Sequence, residues 1–405
     1  MAYLLGKPDV SRNAALKHLT DITPKLGYSY AKERNFDRGP GCHDSVTTLS
    51  PWIRHRLLLE EEAVSAALNA HGSQAAEKFV QEVFWRTYWK GWLELRPSVW
   101  QDYEVARDHD LNDWNGDAGL ARALSGQTGI SCFDHWVAEL KETHYLHNHA
   151  RMWFASIWVF TLGLPWTLGA DFFLQQLLDG DPASNTLSWR WVSGLQTPGK
   201  TYLARAENIQ TFTEGRFYPD SQLATEAPTL DWSPAPMPSA LTFPAPLQSG
   251  IPSILLLHDD DLCPETAPLP LDDIVGVALL NAADLRSTGQ VAHDVSEFVA
   301  VGLRDAVQRL SNGPDMLTCD ANPKTIAALA GRLGAQRIVY AHAPVGPVRD
   351  AIDDITGQLS KIDEARRLIM EVAIRKWDAG SWPYAAKGFF NFKKYIPSMI
   401  ASLQQ

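Results

Sequence analysis

The sequence predicts a helical domain followed by a smaller α/β domain built on a parallel sheet. Three observations carry this expectation. Apolar residues of the first half recur at helical spacing, as in "AAEKFVQEVFWRTYWKGWLEL". Residues 221–252 then turn Pro-rich and low in charge. Beyond them, short apolar runs alternate with amphipathic segments, the pattern of parallel strands joined by helices. The expected divisions are a helical domain over 1–220, a linker over 221–252, an α/β domain over 253–345, and a C-terminal helix with an aromatic tail over 346–405. A chain of 405 residues is long enough for two domains and a large core.

Each element has its own signal. "LSPWIRHRLLLEEEAVSAAL" places Ser50 at an N-cap and Pro51 at the first helical position, where a missing N–H costs nothing. In the next helix Glu82, Trp85, Arg86 and Trp89 fall at i, i+3, i+4 and i+7, so they share a face. Asn148, Arg151, Met152 and Ala155 share a face by similar spacing. After the linker, "SILLLHD" and "DIVGVALLN" read as buried strands and "VSEFVAVGLRDAVQRLS" as a helix. "DMLTCD", "NPKTIAALAGRLG" and "QRIVYAH" continue as strand, helix and strand, and a long helix is expected over about 346–376.

Composition narrows the function. No run of about 18 apolar residues occurs, so no membrane span is expected. The N-terminus lacks the features of a signal peptide, and a cytoplasmic monomer is the expectation. Cys42, Cys132, Cys263 and Cys319 lie far apart, which points to buried thiols rather than a metal or iron–sulfur site. His144, His147 and His149 are close enough to mimic a metal site, but no carboxylate or Cys completes it. The net charge is −11, and residues 1–220 hold 21 Lys/Arg against 26 Asp/Glu. A nucleic-acid binder with this balance needs a local basic patch. Arg54, Arg56, Arg86, Lys90, Arg190, Lys200 and Arg205 are the cations available for one.

The first half is also unusually rich in indoles: 12 of the 15 Trp precede residue 192. "HNHARMWFASIWVFTLGLPWTLGADFFLQQLLDGDPASNTLSWRW" carries Asp179-Gly180-Asp181, then Asn185 and Trp189 at intervals of four. Upstream lie "YAKERNF" and "VTTLS", the latter just before the Pro51 helix. From about residue 28 to about residue 217 these motifs, in this order, resemble the flavin-binding half of the DNA photolyase and cryptochrome family. That family usually places its α/β antenna domain before the flavin domain. Here the order looks circularly permuted.

The resemblance implies FAD as cofactor and leaves any antenna pigment open. It implies contacts from Tyr30, Thr47, Leu49 and Ser50 to the phosphate region, where hydroxyls and backbone N–H groups hold anions. Val46 and Thr48 depart from the family's pattern and remove a hydroxyl and a guanidinium. Arg151 and Asp179 match a pair against the flavin ring, with Gly180 between the two carboxylates. Asp181 matches an acceptor for flavin NH or ribityl hydroxyls. Asn185 matches the residue facing the reactive ring nitrogen, where an amide donor would favour the anionic form. Trp189, Trp166 and Trp114 match proximal, middle and distal indoles of an electron relay. Trp85 and Trp191 match the aromatic walls of a slot for a flipped-out lesion. Glu82, Arg86, Asn148 and Met152 supply its remaining contacts, in the pattern of the cyclobutane-dimer branch. The implied function is light-driven repair of cyclobutane pyrimidine dimers in DNA by electron transfer from reduced FAD. A blue-light photosensor without repair and a non-photochemical flavoprotein are the alternatives.

Overall fold

The computed structural model describes residues 9–197, 199–310 and 316–403. The helical part opens with α1 (Arg12–Ile22), α2 (Tyr28–Glu33), α3 (Ser50–Arg54) and α4 (Glu60–Glu94). It continues with α5 (Ser98–Asp113), α6 (Ala118–Ser125), α7 (Ser131–Thr143) and α8 (Asn148–Ser156). α9 (Trp166–Gln176), α10 (Pro182–Val192) and α11 (Ala206–Phe212) complete it. α4 bends at Gly72, whose φ of 72° a residue with a Cβ rarely adopts. α8 runs into a π-helical turn over Ile157–Thr161, a wider winding that often marks functional sites.

Ser50 does not cap a helix. The N-cap position is Leu49, without a side-chain bond, and Ser50 is already helical. The helix stops after Arg54, and Arg56 takes the left-handed conformation at φ 53°. Tertiary charge explains the break, because Arg54 and Arg56 turn inward to meet carboxylates of the second domain.

Residues 221–252 hold no helix or strand. They still pack on the helical part: Arg96 donates to the Pro236 carbonyl at 3.0 Å, and Ser239 N–H donates to Leu95 O at 2.8 Å. The α/β part carries β1 (Ser253–His258), β2 (Ile274–Leu280), α12 (His293–Leu310), β3 (Thr318–Asp320), α13 (Pro323–Leu333), β4 (Arg337–Ala341) and α14 (Pro347–Leu359). β5 (Ile369–Ala373) follows, so the sheet extends past residue 345 and replaces the second half of the long helix expected over 346–376. β5 is an edge strand with only Ala373 buried, so it lacks the apolar run that marks β1. The tail folds as α15 (Lys376–Ser381), α16 (Phe389–Phe392) and α17 (Ile396–Leu403).

All strand pairs are parallel, in the order β3-β2-β1-β4-β5. Strand order reverses between β1 and β4, and ligands of open α/β sheets usually bind in the crevice beyond those carboxyl ends. Here the helical part fills that place. Leu262 N–H, after β1, donates to His55 O at 2.8 Å. Val345 N–H, after β4, donates to Glu94 at 2.7 Å. Gly346 approaches α10 so closely that a Cβ would sit 2.8 Å from Pro182. One core runs through both parts, with Leu255 and Leu257 of β1 joining the helical cluster. Ile254 and Leu256 face a separate cluster with α13 and α14. Burial on both faces is what a parallel strand requires.

Candidate functional site

Arg151 on α8 and Asp179, in the turn before α10, form an ion pair at 2.8 Å with side chains 22% and 6% exposed. Asp179 Oδ1 is buried without a hydrogen bond, as are Ser184 Oγ, Arg86 Nε and Lys90 Nζ nearby in sequence or charge. Buried polar atoms are costly unless something bonds them. This set therefore fits a polar ligand between α4, α8 and α10.

Asp181 is more occupied than a plain ligand acceptor. Its Oδ1 accepts from Ser184 N–H at 2.7 Å and caps α10. Its Oδ2 accepts from Arg86 at 3.1 Å, with Lys90 Nζ at 3.7 Å. Burial alone would raise this carboxyl's pKa, but Arg86, Lys90 and Arg54 outweigh burial and hold it well below the usual range. Burial and the neighbouring Arg86 push the Lys90 ammonium down to about 8, against the pull of Asp181. Gly180 accepts from Arg54 Nε through its carbonyl at 3.0 Å.

Asn185 is 9% exposed and donates its amide N–H to Ala170 O on α9 at 2.8 Å. The second amide N–H and the carbonyl oxygen are left to face a ligand. One of its two N–H donors is taken up by α9, which fixes the amide and leaves the other N–H as a donor.

At the phosphate end, Tyr30 and Thr47 line one cavity of about 120 Å³ with Lys25, Ser29 and Ser45. Lys25 brings to this cavity a charge that Thr48 does not supply. The sequence offered no motif that singles it out. Thr48 sits at φ 51° and Leu49 is right-handed, an arrangement in which successive N–H groups form an anion-binding nest. His18 fixes this loop through Thr47 O at 2.8 Å. Leu49 is buried and Ser50 half-buried. These features fit FAD at its phosphate end as the orphaned polar atoms do at its ring end.

Trp189 is 2% exposed, on α10, and Trp166 begins α9. The rings nearest Trp189 include Phe173 at 5.1 Å and Trp158 at 6.2 Å. Trp166 meets Tyr103 at 5.7 Å and the linker's Trp232 at 5.2 Å. Half-buried Trp114 ends α5, where Thr167 bonds Asp110 one turn before it. Sequence spacing missed Trp158 and Trp232, since neither lies in the matched register. Gly169 lets the edge of the Trp189 ring approach α9: a Cβ there would collide with the indole. Gly169→Ala is expected to cost ~1–3 kcal/mol from overpacking, read as a lower urea midpoint. An unchanged midpoint would refute the close approach.

The residues matched to a lesion slot have different surroundings. Phe389 of α16 stacks on Trp85 at 3.6 Å and 10°, so that indole face is covered. Trp191 is 36% exposed and stacks on Tyr202 at 5.7 Å, beside an open groove of about 520 Å³ lined by Tyr202, Arg205 and Asn208. Glu82 pairs with Arg34 at 2.7 Å, while Arg86 turns to Asp181 rather than to Glu82. Burial raises the Glu82 pKa, with Arg34 opposing. Asn148 is exposed and Met152 half-buried.

The basic patch does not form as expected from sequence. Arg54, Arg56, Lys90 and Arg190 are 1–2% exposed, which leaves Lys200 and Arg205 at the surface. Cys42 is exposed and Cys319 half-buried, contrary to the expectation of four buried thiols. His144, His147 and His149 bond the carbonyls of Gln176, Arg34 and Asn35 respectively. Among the described residues no helix is long and apolar enough to cross a membrane.

Residues 79–222 match the family model for the FAD-binding domain of DNA photolyase. The helical part of the chain is thus similar to the FAD-binding domain of the photolyase/cryptochrome family. FAD is the cofactor of this domain. A deoxyribodipyrimidine photo-lyase of Streptomyces griseus is 36% identical over 156 residues, 38% of this chain and 33% of the relative. A Thermus thermophilus enzyme of that name is 32% identical over 205 residues, 49% and 46% of the two chains. The Escherichia coli enzyme is 28% identical over 200 residues, 48% and 41%. The matches thus span one third to one half of these photolyase-family relatives. A Synechocystis cryptochrome structure aligns over 50% of this chain and 43% of its own, with a TM-score of 0.40 and 21% identity.

Proposed function

We propose that this chain performs light-driven repair of cyclobutane pyrimidine dimers in DNA. The observation that carries the proposal is the Arg151–Asp179 pair, whose buried Asp179 Oδ1 lacks a hydrogen bond, beside the helix that carries buried Asn185 and Trp189. FAD, when bound, supplies light absorption and one-electron chemistry. Arg151, pinned by Asp179, holds positive charge at the ring end. Asn185, its amide fixed by Ala170, presents its remaining N–H to the ring. Tyr30, Thr47 and Lys25 hold the phosphate end. Trp189 stands next in line to refill an electron vacancy, with Trp166 and then Trp114 behind it. Glu82, Asn148 and Met152 would meet the dimer.

A second reading, a blue-light photosensor without repair, draws on Phe389. That ring occupies the Trp85 face on which an extruded base would stack. The deciding experiment is a blue-light assay on dimer-containing oligothymidine with the FAD-loaded chain, beside a photoreduction assay. Photoreduction with repair supports the first reading. Photoreduction without repair selects the second, and neither activity overturns both.

A further inference from the structure

We infer that the C-terminal segment, residues 376–403, is a docking face for single-stranded DNA. The inference deepens the repair reading, yet it rests on different residues from the flavin site. From Lys376 onward the segment carries Lys376, Lys387, Lys393 and Lys394 against one carboxylate, Asp378. That carboxylate is 1% exposed and taken up by Arg56 at 2.7 Å. The face therefore presents local positive charge on a chain of net charge −11. Lys376, Lys387 and Lys394 are exposed and make no ion pair with a described residue, whereas Lys393 pairs with Glu77 at 3.1 Å.

Aromatic rings are interleaved with these lysines. Phe390 is 81% exposed, and Tyr384 and Tyr395, each 39% exposed, stack on each other at 4.3 Å. Exposed ring faces beside cations match what a flexible strand offers, since bases stack on rings while phosphates meet lysines. The segment is anchored, so the rings are held in place. Phe389 and Phe392 are 4% and 0% exposed, and Trp377 donates to Thr87 at 3.0 Å. Phe389 also lies on Trp85, which sets the face beside the candidate lesion slot. An anionic membrane would be served better by a long amphipathic helix. Here α16 has four residues and α17 eight, and the exposed rings lie on separate turns.

The test is fluorescence anisotropy of undamaged oligothymidine with the full chain in the dark, across a salt series. Phe390→Ala should weaken binding at least about fivefold, the lower end of the stacking contribution. Lys387→Ala with Lys394→Ala should flatten the salt slope by about 0.7 per lysine. Lys361→Ala, on the α/β part, should leave affinity and slope unchanged. All these positions are exposed, and thermal melts will show that the variants fold. Unchanged affinity and slope in the segment variants would overturn the inference. So would binding to anionic vesicles but not to the oligonucleotide, or self-association as the only property lost with Phe390. Since neither light nor a lesion enters, a failure here leaves the repair assay to stand alone.

Discussion

Trp189→Phe is expected to keep FAD bound while slowing blue-light photoreduction by an order of magnitude or more. Trp189 is 2% exposed and lies among Phe154, Trp158 and Phe173, so a smaller ring fits without exposing a polar group. Its Nε1 has no hydrogen-bond partner, so the substitution removes no bond and leaves none unmatched. What is lost is an indole, the side chain most readily oxidised at that position, while the cofactor chemistry itself is untouched. Trp114→Phe should cost less, because Trp166 has the ring of Trp232 5.2 Å away as a second neighbour toward the surface. Photoreduction rates with an external donor, normalised to flavin absorbance, make the comparison. Equal rates in wild type and Trp189→Phe would remove Trp189 from the relay.

Part of this site could be read in the residue order, and the reason is local geometry. Asp179, Gly180, Asp181, Asn185 and Trp189 occupy one turn and the helix it opens, so their spacing fixes their relative placement. Arg151 joins them because α8 and α10 pack as a pair. The strands β1, β2 and β4 were legible because burial on both faces demands an apolar run. β5 was not, since "IMEV" sits half-exposed at an edge among charged residues. Contacts distant in sequence were also invisible. Nothing in Trp85 announces Phe389, 304 residues away, and nothing in "IRHR" announces that "HDDD" will claim its cations. The same distance effect helped to empty the expected basic patch: Arg54 and Arg56 were present, but carboxylates beyond the linker claim them.

Those buried pairs set the second large effect. Arg56 is 1% exposed, donates to both Asp378 oxygens at 2.7 and 2.8 Å, and keeps Glu60 at 3.4 Å and Asp261 at 3.5 Å. Arg54 pairs with Asp260, and Arg375 with Asp261 at 2.5 Å. Such pairs roughly offset their own desolvation, but removing one partner strands a buried charge. Asp378→Ala is therefore expected to cost ~3–5 kcal/mol. It should also loosen the C-terminal segment, since α15 carries Asp378.

The network also fixes a direction with pH. His55 Nδ1–H donates to Asp259 O at 2.5 Å, and its Nε2 accepts from Arg286 at 3.2 Å. A second ring proton would point at a guanidinium. Burial, then Arg54 and Arg286, hold the His55 pKa well below its usual value. Its folded pKa lies below the unfolded one, so its contribution is present above about 6.5 and is lost as pH falls from there. Asp261 is opposed by burial but held to about 2 by Arg375 and Arg56, so its contribution is lost later, below about 4. Urea midpoints should thus decline from pH 7 to 5, and again below 4. His55→Gln keeps an acceptor for Arg286 but cannot titrate, and should make the upper decline shallower without removing it, because burial also holds His147, His149 and His18 below their usual value. An unchanged slope between pH 7 and 5 in that variant would show that His55 contributes nothing to the decline.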